Sequence, residues 1–306
     1  MEFRINCVGH KKACTVKSFS YPPIYHAAGD FSDKSQQRYF RLIILEYALL
    51  IVASFVSANA YEDRTYYAGS ALIFLITMMV AATRNWLKPE QDWYKGRALA
   101  ESIKTSSWRY AMRSAPFGNE NDEAETREEF QQHLRLILDA NRSIGDKIPA
   151  DRAAEDQITS RMGEIRASDW MERLKFYREH RVNEQLRWYT KRAEENKNRS
   201  TLWVGTAIII YLFAIAASLM RIAHLEIGII PVDTFILAAS TIVGWTQIKK
   251  FNELASSYTL TAHEIGLTFG PLRQVKNEEQ LAKFVLEAEQ AFSREHTQWV
   301  ARQSFQ

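Results

Sequence analysis

Residues 66–83 read YYAGSALIFLITMMVAAT, a run without a charged side chain that ends at Arg84. A helix of about 20 residues, rising about 1.5 Å at each, covers the roughly 30 Å hydrocarbon core of a bilayer. Three more stretches have this character. Residues 42–60 (LIILEYALLIVASFVSANA) carry one charge, Glu46; residues 201–220 (TLWVGTAIIIYLFAIAASLM) lie clean between Arg199 and Arg221; residues 227–248 carry only Asp233. Surface helices of a soluble bundle show a polar face, and these show almost none. In lipid the backbone must satisfy its own hydrogen bonds, so each stretch is expected to be a helix. The fold predicted is an all-α membrane protein with four transmembrane helices in two pairs, joined to amphipathic cytoplasmic helices.

Orientation follows from the basic residues near the span ends. Lys34, Arg38 and Arg41 precede the first span, and Arg84, Lys88, Lys95 and Arg97 follow the second. Lys191, Arg192, Lys197 and Arg199 precede the third, and Lys249 and Lys250 follow the fourth. The short connections hold Arg64 and Arg221 against Glu62, Asp63 and Glu226. Both termini and the long middle segment are therefore expected in the cytoplasm, and the chain in the inner membrane as a multi-pass protein. The net charge of +3 gives no electrostatic case for nucleic acid as a partner. Cys7 and Cys14, with His10 between them, lack zinc spacing. The first twenty residues lack the apolar core of a signal peptide and read as a polar tail.

After each pair of spans the chain repeats itself: an amphipathic helix, a proline, an acidic start and a second amphipathic helix. At a constant shift of 155, Leu99, Ala100, Ser102 and Pro116 fall on Leu254, Ala255, Ser257 and Pro271, and Glu123 on Glu278. This order of parts reads as a tandem duplication. The first unit is placed at 21–140, a linker at 141–165 where Gly145 and Pro149 break the pattern, and the second unit at 166–306. In the second copy, Phe251, Leu254, Tyr258, Ala262 and Ile265 extend the fourth span as an apolar stripe, which Gly270-Pro271 is expected to end. Asn277 and Gln280 form a capping-box pattern ahead of Leu281, Phe284, Val285, Ala288, Phe292 and Trp299. In the first copy Pro89 opens a helix that Ala115-Pro116-Phe117 closes, and Thr126 with Glu129 is expected to cap the next. Trp170, Leu174, Tyr177, Val182, Leu186 and Tyr189 predict a long helix leading into the third span.

The stretch from Trp93 to Phe117, WYKGRALAESIKTSSWRYAMRSAPF, resembles the signature of the SMODS- and SLOG-associating two-transmembrane effector family, SLATT. It directly follows the second span and contains Trp93, Arg97, Ala98, Glu101, Ser102 and Lys104, then Trp108-Arg109-Tyr110. The resemblance covers residues 20–140; the second copy shares the layout, with His263 and Glu264 where the first has Trp108 and Arg109. It implies a bacterial membrane effector of nucleotide-signal-controlled conflict systems that damages the membrane of its own cell. A nucleotide second messenger or a sensor protein encoded nearby would be its partner.

Two intramembrane acids stand out, because such groups usually face protein or water. Glu46, one turn inside the first span, and Asp233, near the outer end of the fourth, are pore-lining candidates that would favour cations. The alternative is a snorkelling acid, or for Glu46 a pair with Arg84 or Arg41. Arg97, Glu101 and Lys104 share one helix face as ion-pair partners; with Trp93, Ser102, Trp108 and Arg109 they pack subunits together or hold a ligand. Trp86, Trp93, Trp188, Trp203, Trp245, Tyr66 and Tyr67 suit the aromatic belts at span ends. Small residues such as Gly69, Ser70, Ala71, Ala214, Ala216 and Ala217 permit close helix contact, so a homo-oligomer in the lipid bilayer is expected. Phosphate loops, nucleophile elbows and paired metal ligands are absent from the sequence, so neither catalysis nor a cofactor is expected. The leading expectation is an oligomeric effector that permeabilises the membrane; a membrane-anchored scaffold and a housekeeping ion channel are the alternatives.

Overall fold

Pro23, whose ring presets a helical φ and whose missing N–H is no loss in a first turn, starts a helix that continues through the first apolar stretch: α1, Pro23–Ala58. The computed structural model describes residues 18–58, 64–118, 122–224 and 230–304, with residues 294–304 described by backbone only. Cys7, His10, Cys14, Glu62, Asp63 and Glu226, and the tail before residue 18, lie outside the described residues. The chain continues as α2 (Arg64–Leu87), α3 (Pro89–Ala111), α4 (Glu123–Ala140), α5 (Ser160–Ala167), α6 (Trp170–Tyr177), α7 (Asn183–Ala223), α8 (Val232–Lys249), α9 (Phe251–Gln274) and α10 (Glu278–Ser304). No strand occurs among the described residues.

Three helical stretches are long and apolar enough to cross a membrane, within Pro23–Ser57, Arg64–Ala111 and Trp170–Ala223. The fourth apolar stretch forms α8, whose 18 residues include Asp233, Gln247 and Lys249; these polar groups hold it below the other three. The long helices present large apolar side chains outward, among them Ile44, Phe55, Leu72, Met78, Leu202 and Leu212, each more than half exposed. In water so much bare apolar surface is unusual; hydrocarbon is its natural surrounding.

The chain divides into two compact units that cut across the repeat. One holds 38–88 and 188–262, the apolar helices. Within it α1 packs on α8 at three levels: Phe40 lies edge-on to Trp245 (5.7 Å), Tyr47 meets Gly244, and the Ser54 and Thr234 hydroxyls approach to 3.3 Å. Descending residue numbers on α8 against ascending ones on α1 make this contact antiparallel. Trp203 and Phe213 of α7 meet Trp245 and Phe235 of α8.

The other unit holds the signature helix and comprises residues through 37, 89–187 and 263 onward. Helix α3 is its axis, with α4, α5 and α10 packed around it. Its core includes Leu99, Ile103, Tyr110, Phe117, Phe130 and Leu134. Residues 141–165 carry little regular structure, yet Ile144, Ile158 and Met162 are buried in the same core.

Several local expectations are corrected. The apolar stripe does not run unbroken from α8 into α9, because Lys250 stands in the left-handed region (φ 51°, ψ 40°) and ends α8. Gly270-Pro271 does not end α9; Pro271 lies inside it and the helix closes its last turn at Gln274. Thr126 is not the cap of α4: Asp122 is, its carboxylate accepting the Glu123 N–H at 2.7 Å, and the Thr126 hydroxyl instead donates to the Asp122 carbonyl. An aspartate four residues earlier thus reached the free N–H groups first. The expected long helix to the third span forms, running from Trp170 to Ala223, with one π turn at Arg178–Val182 inside it. At the start of α10 the capping box forms, with Gln280 N–H on Asn277 Oδ1 and Lys276 N–H on Gln280 Oε1, both 2.9 Å.

The register of the repeat also differs along its length. Lys88 and Lys250, both left-handed, stand just before α3 and α9 and are 162 residues apart, whereas Glu123 and Glu278 stand 155 apart. The first copy is therefore longer by seven residues, about two helical turns. The excess lies between α3 and α4, where Pro116 sits in a loop while Pro271 sits in a helix.

Candidate functional site: a buried polar centre around the signature helix

Gly96 lets α1 lie against α3. A Cβ there would stand 2.8 Å from Phe31 Cδ1 and 3.3 Å from Ser32 Cα, and the Ser32 hydroxyl donates to the Trp93 carbonyl at 3.1 Å. This close crossing brings the start of the described chain over the signature. Trp108 is fully buried, its ring stacked on Phe19 at 4.1 Å, and its Nε1 donates to Tyr21 Oη at 2.9 Å. Tyr21 also lines a cavity of about 420 Å³ with His26, Arg152, Thr159 and Ser160.

Next to Trp108 lies Tyr177, edge-on at 5.5 Å. Its hydroxyl donates to Glu289 Oε1 at 2.8 Å, and Arg181 clasps the same carboxylate through Nε (2.8 Å) and Nη2 (2.6 Å). Glu289 is 0% and Arg181 2% exposed, so this bidentate pair is removed from water. Only paired and hydrogen-bonded charges are tolerated there. Burial first, and then the adjacent Glu289 charge, raise the Tyr177 pKa well above its usual value. Tyr177 therefore stays a neutral donor. The π turn inserts its extra residue here, and Arg181 and Val182 both face inward.

Lys104 is buried too, with Glu101 at 3.5 Å. Its burial lowers its pKa, Glu101 opposes that, and the Arg181 charge pushes further down. The Glu101–Lys104 pair expected from spacing is thus formed, but inside the unit rather than on a solvated face. Ser102 accepts the Ser106 hydroxyl at its carbonyl, and Arg109 Nε donates to the Ala115 carbonyl at 2.6 Å. Arg97 lies half-buried beside Asp33, on which its charge acts. Trp93 belongs to this unit and stacks on Tyr94.

Two arginines secure the end of α3. Arg166 donates to the carbonyls of Tyr110 (2.8 Å), Phe117 (2.9 Å) and Gly118 (3.1 Å), and Arg173 to that of Met112 (3.1 Å) and to Glu278 (2.6 Å). Cations suit the carbonyl-rich end of a helix. Ser114 Oγ donates to the Ala282 carbonyl at 2.6 Å, so α10 of the second copy closes over the signature of the first.

The two acids of the apolar stretches, Glu46 and Asp233, are not brought together. Glu46 receives Arg84 at 3.1 Å through Nη2 and 3.2 Å through Nε. Asp233 is exposed in the first turn of α8. It stands eleven residues, about 16 Å of helix, from the Gly244 that meets Tyr47 beside Glu46.

Residues 22–174 match SMODS and SLOG-associating 2TM effector domain 3, and residues 177–299 match SMODS and SLOG-associating 2TM effector domain 1. The chain belongs to the SLATT family. Its two SLATT domains stand in tandem and come from different divisions of the family, which accounts for a repeat strong in layout and weak in identity. With its apolar helices, this SLATT chain is a multi-pass membrane protein of the effector class associated with defence systems. No curated protein and no solved structure matches it.

Sequence reasoning missed Gly96, Tyr21, Arg166, Arg173, Arg181 and Glu289. A signal existed for the last: Glu289 falls on the apolar stripe Leu281, Val285, Ala288, Phe292, where an acid signals a buried partner. Arg173 and Arg181 flank Tyr177 at four-residue spacing on a buried face in the same way.

Proposed function

We propose that the chain is an oligomeric, non-catalytic effector of the inner membrane that permeabilises it when a partner system signals. The observation that carries this reading is the tandem of two SLATT domains with an apolar helical unit that leaves large side chains bare. The antiparallel contact of α8 with α1 supports a four-span bundle, and the basic residues at the span ends support cytoplasmic termini. The partner would be a nucleotide messenger or a neighbouring sensor protein acting on the signature unit. A trigger that binds one arrangement of α10 better than another would shift the population. The Tyr21-lined cavity, with His26 and Arg152 on its wall, supports a small-ligand input.

A second reading, a non-porous membrane-anchored scaffold, draws on one observation: Arg84 already neutralises Glu46. Dye release from liposomes carrying the full chain, with membrane depolarisation followed in cells carrying its native neighbouring genes, separates the two. Permeabilisation that changes in Glu46→Gln without loss of assembly supports the effector reading. A correctly inserted protein that never permeabilises in the presence of those neighbours refutes it.

A further inference from the structure

Within the apolar unit, Lys249 at the end of α8 does not reach toward an acid. Its ammonium lies 3.3 Å from the centroid of Phe40 and 5.0 Å from that of Trp245. The charged group acting on it is Arg199 of α7, another cation. Trp203, one turn further along α7, sets its ring edge-on to Trp245 at 6.4 Å. Trp245 Nε1 is shielded from water and has no acceptor, and a buried donor without an acceptor is costly. Lys250 follows directly, its left-handed backbone turning the chain at this point. Three helices thus converge on a corner with two cations, an aromatic wall and an unused N–H. Basic pockets between spans on the cytoplasmic side suit anionic lipid headgroups, and indoles at this depth pair an apolar face with a donor.

We propose that Lys249, Arg199 and the Trp245 indole form a site for the phosphate of an anionic phospholipid, with Phe40 and Trp203 completing its wall. The inference rests on the membrane reading of the chain and names the lipid that this corner selects. Phosphate is the shared chemistry of a headgroup and of a free anion. The site joins helices of both copies, so an occupied site ties the first span to the third and fourth.

The test uses the full chain in a neutral detergent, titrated with phosphatidylglycerol, with phosphatidylcholine, and with inorganic phosphate, and bound lipid read by native mass spectrometry. Phosphatidylglycerol is expected to bind in preference to phosphatidylcholine. Lys249→Gln is expected to weaken it on the order of tenfold, Lys249→Arg to retain it, and Trp245→Phe, which keeps the ring and removes the N–H, to weaken it to a lesser degree. Lys191→Gln, which removes a basic residue elsewhere, is expected to leave it unchanged. Equal binding of the two lipids, or equal losses in Lys249→Gln and Lys191→Gln, overturns the site. Displacement of the lipid by inorganic phosphate at equal concentration overturns the lipid as its occupant. Dye release from pure phosphatidylcholine liposomes is measured on the same preparations, so loss of the lipid site and loss of the effector reading are read separately.

Discussion

Replacing Glu289 with glutamine leaves the Arg181 charge in a position 2% exposed, without the carboxylate that holds it through two hydrogen bonds. Removing one partner of a buried pair costs about 3–5 kcal/mol. Glutamine keeps one acceptor, which places Glu289→Gln near about 3 kcal/mol. Replacing both partners by methionine removes the charges together and fills similar volume, a change that is often neutral or stabilising. The Tyr177 hydroxyl then loses its acceptor, at about 1 kcal/mol, so Arg181→Met with Glu289→Met should lie within about 1 kcal/mol of wild type. The assay is a double-mutant cycle on the purified full chain in detergent, with unfolding followed by near-ultraviolet circular dichroism. With the singles Arg181→Met and Glu289→Met each costing about 3–5 kcal/mol, the coupling expected is about 5 kcal/mol or more, above the usual range of about 0.5–3 kcal/mol for residues in contact. Single variants within 1 kcal/mol of wild type, or a double variant as costly as the sum of the singles, would refute the claim that this pair locks α10 to the signature unit.

Three further outcomes are expected. Gly96→Ala should destabilise the signature unit by about 1–3 kcal/mol, because the new methyl meets Phe31 and the Ser32 backbone; Phe31→Ala should not restore it, and unchanged thermal unfolding of Gly96→Ala would contradict the crossing. Gly244→Ala places a methyl 2.7 Å from Tyr47 Oη and 3.4 Å from Tyr47 Cζ, so Tyr47→Phe should rescue its melting temperature; a rescue by substitutions elsewhere but not by Tyr47→Phe would place that contact wrongly. Burial would raise the Glu278 pKa, but the Arg173 hydrogen bond and the Arg173 and Arg113 charges hold it below the usual carboxylate value. Its stabilising contribution is therefore present above the ordinary value of about 4.3 and lost as pH falls through the lower folded value. The stability gap between wild type and Glu278→Gln should be full at neutral pH and close below about pH 4; a gap independent of pH contradicts the pairing.

The cap of α4 and the end of α9 show where pattern reading stops. Thr126 and Glu129 have the right spacing, yet Asp122 sits four residues earlier and meets the N–H groups first. Pro271 follows a glycine, yet a proline in the last turn displaces few helical hydrogen bonds, and packing of Leu272, which is 4% exposed, draws the turn onward. The seven-residue excess of the first copy preserved the helical face, so a single shift of 155 aligned prolines that play different roles.

The sequence alone determined the apolar stretches, their helical state, the repeated order of parts and the signature from Trp93 to Phe117. Those features are local: a run of apolar residues must form a helix if lipid is its solvent, whatever else the chain does. Only the tertiary structure decided that Glu46 meets Arg84, that Glu289 meets Arg181 across 108 residues, and that α10 of the second copy closes over α3 of the first. Periodicity names the buried face of a helix but not the helix that covers it. That choice depends on which distant surfaces fit and on which buried charges find a partner.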